Sequence, residues 1–217
     1  MSEENPFLHI VASGEEEVIG RDFKEFLDKL KKEIPKLLGK ERIIFILGEP
    51  GSGKSLIIKK VCQNLKKSKL KLLNFNPKIL QDFRDLKDKE VVVVENFHLI
   101  EAMKKKDAEE VLRKIIERTE KGNTFILEAS RDTLEFLRGI NKDLKKYEEV
   151  FEVPRLREED IYEFILSKLK SAHGKRIKSI EPFDKHDIAQ IWRKSRGNPR
   201  MILLLAQTLY DIKMRKV

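Results

Sequence analysis

Ile43-Ile44-Phe45-Ile46-Leu47-Gly48-Glu49-Pro50-Gly51-Ser52-Gly53-Lys54-Ser55 is the stretch from which the rest of the chain is read. Its first five residues are apolar without alternation, which predicts a short strand buried on both faces. The next eight spell Gly-x-x-x-x-Gly-Lys-Ser and run directly into helical spacing. In a strand–loop–helix context this pattern cradles phosphate. The glycines let backbone N–H groups wrap an anion, and the helix N-terminus adds positive partial charge. Gly48, Glu49, Pro50, Gly51, Ser52, Gly53, Lys54 and Ser55 are therefore the candidate nucleotide-binding residues. Lys54 is expected to reach the β- and γ-phosphates, and the Ser55 hydroxyl to ligate Mg²⁺. The bland alternative is a glycine turn capped by serine, with Lys54 exposed.

Further strand-like runs follow at Leu70–Phe75, Val91–Val94, Thr124–Leu127 and Val150–Val153. Helix-period stretches fall between them near 54–67, 77–88, 107–121 and 131–146. Alternation of this kind predicts a doubly wound, parallel, five-stranded α/β domain, here over 1–153. Ahead of the first strand, Asp22–Ile34 carries Phe23, Phe26, Leu27, Leu30 and Ile34 at helical spacing, with Pro35 closing the run. Beyond Pro154 only helices are expected, over Glu158–Ser171, Asp184–Ser195 and Pro199–Met214, forming a small helical domain over 154–217.

Val91-Val92-Val93-Val94-Glu95-Asn96 is a second apolar strand, and it ends in a carboxylate. In phosphate-loop proteins this position holds an acid near Mg²⁺, so Glu95 joins Ser55 as a candidate metal ligand. The alternative is a carboxylate that merely ends a strand in solvent. The following residue is Asn96, whose amide orients water by hydrogen bonding but cannot accept its proton.

Composition narrows the setting. The 217 residues include 46 Lys and Arg against 37 Asp and Glu, a formal net charge of +9. Hydrophobic residues reach 40%, enough for a core, and no apolar run approaches the roughly 18 residues of a membrane span. No signal peptide is visible at the N-terminus, and the sole cysteine, Cys62, excludes an internal disulfide. A cytoplasmic protein without membrane contact is expected. Charged residues make up 38%, against about 25% in ordinary domains. Such a surface fits ion-pair networks of the thermophile kind, and its positive excess is also what attracts nucleic acid. The basic runs, Lys104-Lys105-Lys106 and Lys66-Lys67, nevertheless alternate with acids and read as helical. His9, His98, His173 and His186 are scattered without metal-site spacing. Trp192 reads as lid core, and Asn74 and Asn76 as loop caps.

With these motifs in place the chain resembles the AAA+ ATPases over nearly its whole length. Val18-Ile19-Gly20-Arg21-Asp22 resembles the segment that holds adenine, implying Ile19 and Gly20 as nucleotide contacts. Ala129-Ser130-Arg131 falls where the family's sensor 1 lies, implying that Ser130 orients water; a helix-capping serine is the alternative. Gly197-Asn198-Pro199-Arg200 resembles sensor 2, implying that Arg200 touches the γ-phosphate and couples it to the lid. Glu95, Asn96, Ser130 and Arg200 are thus the catalytic candidates. The resemblance further implies strand order 5-1-4-3-2, ATP and Mg²⁺ as ligands, and homo- or hetero-oligomers. The subgroup most alike is the replication-initiator and transposition-helper branch, whose members often work with DNA or DNA-binding proteins. The chain stops at Val217 just after the lid, so an appended DNA-binding domain is expected to be absent. Where the family places an arginine finger, this chain reads Leu144-Lys145-Lys146-Tyr147; Arg131 and Arg138 read equally as substitutes or as surface helix residues. A nucleotide-dependent switch with slow or partner-stimulated hydrolysis is expected. A hydrolysis-deficient ATP sensor is the second reading, and a small-molecule phosphate-loop kinase a remote third.

Overall fold

The structure is a computed structural model of the 217-residue chain, described here for residues 5–7, 17–65, 69–173 and 176–215. His9, Lys66 and Lys67, and with them the end of the helix expected over 54–67, lie outside the described residues. Five strands, β1 (Ile43–Leu47), β2 (Leu70–Asn74), β3 (Val91–Glu95), β4 (Thr124–Ala129) and β5 (Glu148–Glu152), form one parallel sheet in the order β2-β3-β4-β1-β5. This is the order that the family resemblance implied. Eight α-helices accompany it among the described residues: α1 (Arg21–Leu37), α2 (Lys54–Cys62), α3 (Ile79–Arg84), α4 (Lys105–Glu120), α5 (Arg131–Ile140), α6 (Glu158–His173), α7 (Lys185–Ser195) and α8 (Pro199–Met214). None is long and apolar enough to cross a membrane.

The chain divides into two compact units, Leu27–Pro50 with Ile57–Val153, and Met1–Phe26 with Gly51–Leu56 and Pro154–Val217. In the first, the central strands β1, β3 and β4 are buried almost throughout, while the edge strands β2 and β5 are partly open. One sheet face presents Phe45, Leu47, Val92, Val94, Phe125 and Leu127 to Ile79, Phe83, Val111, Leu112, Ile115 and Leu137 of α3, α4 and α5. Phe83 and Phe125 meet edge to face at 5.4 Å between ring centroids. On the opposite face Ile46 and Ile126 share an apolar pocket with Leu30 and Ile34 of α1 and with Ile58, Val61 and Cys62 of α2.

Several boundaries depart from the sequence reading. Helix α1 continues through Pro35 to Leu37. A proline in the last turn removes one backbone donor, which is tolerable because the helix ends two residues later and buries Ile34. Strand β3 takes in Glu95, and β4 extends to Ala129, carrying the buried Glu128 into the sheet. The stretch expected as one helix over 131–146 breaks at Asn141, whose side-chain oxygen accepts the Asp143 N–H at 2.8 Å and starts a short 3₁₀ turn.

In the second unit Phe7 packs edge-on against Phe183 and Tyr210. The Asn5 amide donates to the Gln207 carbonyl at 3.1 Å and to Asp211 at 2.7 Å. Asp184 caps α7 in a reciprocal box with Asp187, and Lys213 Nζ lies 2.5 Å from Asp187 Oδ2. Asn198 caps α8, with Pro199 at its first position, where the missing N–H costs nothing.

Replacing Phe83 with Ala is expected to lower stability by about 3–5 kcal/mol, read as a reduced midpoint in denaturant unfolding. Burial, followed by the nearby Glu95 charge, pushes the Cys62 thiol up from 9.0 to about 11. Between these values the unfolded thiol ionises and the native one does not, so Cys62 lowers stability as pH rises through that window. Alkylation of native protein at pH 9 is expected to be far slower than that of the urea-unfolded chain, measured by mass spectrometry.

Candidate functional site

The phosphate loop leaves the carboxyl end of β1, where the Gly48 N–H donates to the Ala129 carbonyl of β4 at 3.3 Å. Helix α2 follows β1 onto one face of the sheet and α5 follows β4 onto the other. Adjacent strands whose chains depart to opposite faces mark the point where an α/β sheet binds its ligand.

Gly51 has φ +80°, a conformation that favours glycine. A Cβ there would stand 2.4 Å from Arg200 Cβ and 3.0 Å from Asn198 Oδ1. The Gly51 carbonyl accepts the Arg200 N–H at 3.2 Å, so the first turn of α8 is bonded to the loop while the Arg200 side chain stays exposed. Gly53 also has positive φ. Ser52 Oγ is buried and has no hydrogen-bond partner. A buried hydroxyl left so is costly, and an anionic oxygen in the loop would satisfy it. Lys54, only 6% exposed, opens α2, and the half-buried Ser55 follows. Glu49 and Pro50 are exposed. These features fit a phosphate group at the helix N-terminus.

Ile19 is buried, and Gly20, at φ +91°, lies so close to residues of the helical tail that a Cβ would come within 2.7 Å of Leu156 Cδ2 and 3.1 Å of Asp160 Oδ2. Arg157 forks onto both Asp22 carboxylate oxygens at 2.8 and 2.7 Å, which fastens the same segment from its other end.

The acidic strand ends in a polar cluster on the sheet unit. Glu95 is half-buried, and Asn96 is left-handed at φ +56°, which asparagine tolerates. The Asn96 amide donates to Asn74 Oδ1 at 3.1 Å, and its backbone N–H donates to Glu128 Oε2 at 3.3 Å. Ser130 Oγ accepts the Thr133 N–H at 2.9 Å as the cap of α5, the capping alternative left open above, and lies 3.4 Å from Glu101 Oε1. Arg131 pairs with Glu152, and Arg138 with Glu148 and Glu135. Glu128 was missed by sequence reading. Its signal is a charged residue in the apolar run Thr124–Ala129, with only 7% of its surface exposed. Glu95, Asn96, Asn74 and Glu128 are thus brought together in one unit, and Gly51, Asn198 and Arg200 in the other.

Comparison with curated proteins finds no match. Among solved structures, Hsp104 of S. cerevisiae bound to ADP superposes with a TM-score of 0.59 and 18% identity, covering 92% of this chain and 32% of that one. A RuvB mutant of Thermotoga maritima gives 0.57 and 18%, covering 90% and 64%. The Aeropyrum pernix ORC1 protein in complex with DNA gives 0.63 and 11%, covering 98% and 64%. The chain spans about a third of the Hsp104 chain and under two thirds of the other two. At these identities the likeness establishes a common fold. Residues 28–177, well over half of the chain, match the family described as Novel STAND NTPase 3. The chain belongs to that family.

Proposed function

We propose that the protein binds Mg-ATP as a nucleotide-dependent switch and hydrolyses it slowly. The observation carrying this reading is the bond between the phosphate loop at Gly51 and the first turn of α8 at Arg200. A guanidinium on that turn would feel whether a γ-phosphate is present, since its donor fork matches phosphate oxygens. In this reading Lys54 and the loop N–H groups bind the phosphates, and Ile19 and Gly20 contact the adenine. Ser55 and Glu95 hold Mg²⁺, which neutralises phosphate charge. Asn96 and Ser130 orient water. Assembly into oligomers, cytoplasmic location and work beside DNA-associated machinery belong to the proposal on family likeness.

A second reading, an ATP sensor without turnover, is favoured by Asn96, whose amide is tied to Asn74 and accepts no proton. Phosphate release separates the two. Turnover above a Lys54→Ala background supports the switch that hydrolyses; release at background with intact ATP binding supports the sensor.

Lys54→Ala is expected to abolish ATP binding in calorimetry, and unchanged affinity would refute the loop assignment. Arg200→Ala is expected to weaken ATP by about tenfold while leaving ADP nearly unaffected, the loss of one charge-assisted contact to the γ-phosphate. Equal effects on both nucleotides would remove Arg200 from that role. Duplex DNA is expected to bind at low salt with an affinity that falls steeply as salt rises; absent or salt-insensitive binding would return the positive charge to solubility.

A further inference from the structure

Every strand of a parallel sheet begins at the same end. The segments entering β1 to β5 therefore meet at one end of the sheet unit, opposite the end from which Gly48 leaves β1. These entries, 38–42, Lys69, 87–90, 120–123 and 142–147, carry nine lysines and arginines against five acids. The segments leaving β1, β2 and β3 at the other end, 48–50, 75–78 and 96–104, carry two of each. Hydrogen bonds join neighbouring entries in sheet order. The Asn123 amide donates to the Lys87 carbonyl at 2.7 Å, and the Thr124 N–H to the Glu90 carbonyl at 3.0 Å. The Gly39 N–H donates to Thr124 Oγ1 at 3.0 Å. The Arg42 guanidinium donates to the Lys146 carbonyl at 2.9 Å, and the Ile43 N–H to the Tyr147 carbonyl at 2.9 Å.

The acids of this end are largely engaged, and the lysines largely are not. Asp143 pairs with Lys146, Asp88 lies 3.9 Å from Arg118, and Glu120 accepts the Tyr147 hydroxyl at 2.6 Å. Glu90 accepts the Lys87 N–H at 2.9 Å, while Glu41 is exposed. Lys121 pairs with Glu117 of its own helix. Lys40, Lys69, Lys87, Lys89, Lys142 and Lys145 are exposed, and among the described residues none of them forms an ion pair. Lys89 has φ +63° and packs its stem 3.3 Å from where a Gly122 Cβ would stand. Glycine would make that turn at lower cost, so the backbone does not ask for a lysine there. Leu72, Leu99 and Val150, exposed apolar residues of the same unit, all lie outside these entries. The surface thus offers charge without an apolar anchor for a peptide or a membrane. It also lacks the row of rings on which single-stranded bases stack. The phosphate backbone of a duplex needs neither.

We propose that this end of the sheet binds the phosphate backbone of duplex nucleic acid without reading its sequence, through Lys40, Lys69, Lys87, Lys89, Lys142 and Lys145. The assignment rests on the reading above in which duplex DNA binds at low salt, and it gives that binding a place. Strands about 4.8 Å apart spread the five entries over about 19 Å. Phosphates of one strand advance about 3.4 Å each along the duplex axis, so the row spans about five of them.

The test is fluorescence anisotropy of the full chain on a short duplex DNA and a duplex RNA of the same sequence, between about 0.05 and 0.2 M salt. Lys40→Gln, Lys89→Gln and Lys145→Gln combined are expected to weaken binding on the order of 100-fold. They are also expected to reduce the slope of log affinity against log salt by about 3. Melting temperature, and ATP affinity by calorimetry, are expected to stay at wild-type values. The same three positions changed to Arg are expected to keep wild-type binding. Lys78→Gln, Lys104→Gln and Lys105→Gln combined remove equal charge elsewhere on the unit and are expected to leave the slope unchanged. The duplex bound more tightly names the source of the backbone. Equal losses from the two glutamine triples overturn the assignment and leave duplex binding to net charge alone. Wild-type affinity in the first triple overturns it too, as does tighter binding of polyglutamate or anionic vesicles than of either duplex. A wild-type chain that binds neither duplex at low salt overturns the assignment and the duplex reading together.

Discussion

Burial of β1 on both faces is the constraint on which the rest of the sheet unit depends. Ile43 to Leu47 lie between β4 and β5 and are covered above and below. A strand so placed has no solvent face, and any polar function it serves must begin where it ends. Gly48 follows Leu47 directly, with its N–H on β4, while the Val153 N–H returns to the Leu47 carbonyl at 2.9 Å. The origin of the phosphate loop is therefore pinned from both sides by backbone bonds whose geometry is set by the core.

The loop itself is shaped by close approach. Gly51 combines positive φ with Arg200 and Asn198 at distances that no side chain would allow. Asn198 both caps α8, accepting from Arg200 and Met201, and leans on the loop. The cap and the phosphate-binding backbone thus share atoms. In the proposed switch, a nucleotide that shifts one would shift the other, which is differential contact in two states. The Arg157–Asp22 fork, bidentate and aligned, ties the start of α1 to the segment before α6 in the same unit.

Charge density has a local account as well. Glu117 of α4 is flanked by Lys121 and Lys114, whose hydrogen bonds bring its carboxyl down to about 2. Arg138 bridges Glu148 and Glu135, and the Arg118 guanidinium closes α3 by donating to the carbonyls of Phe83 and Arg84. Exposed pairs of this sort contribute little individually, on the order of a few tenths of a kcal/mol on a helix face.

The local pattern by itself determined the strand ladder, the phosphate loop, the acidic strand and the helical tail. Each is written in short-range periodicity and in glycine or proline placement, which act over a few residues. Pro199–Met214 appears in the structure with the expected bounds, because Asn198 and Pro199 mark its start locally. Near neighbours also carried the cap at Ser130. What only the tertiary structure decided are the contacts between residues far apart in the chain. Arg200 meets Gly51, Asn74 meets Asn96, and Glu128 comes to the end of the acidic strand. In sequence Glu128 is an irregularity in an apolar run. It reaches the Asn96 N–H only because β4 is inserted between β3 and β1, a pairing decided by how two layers of helices bury the sheet.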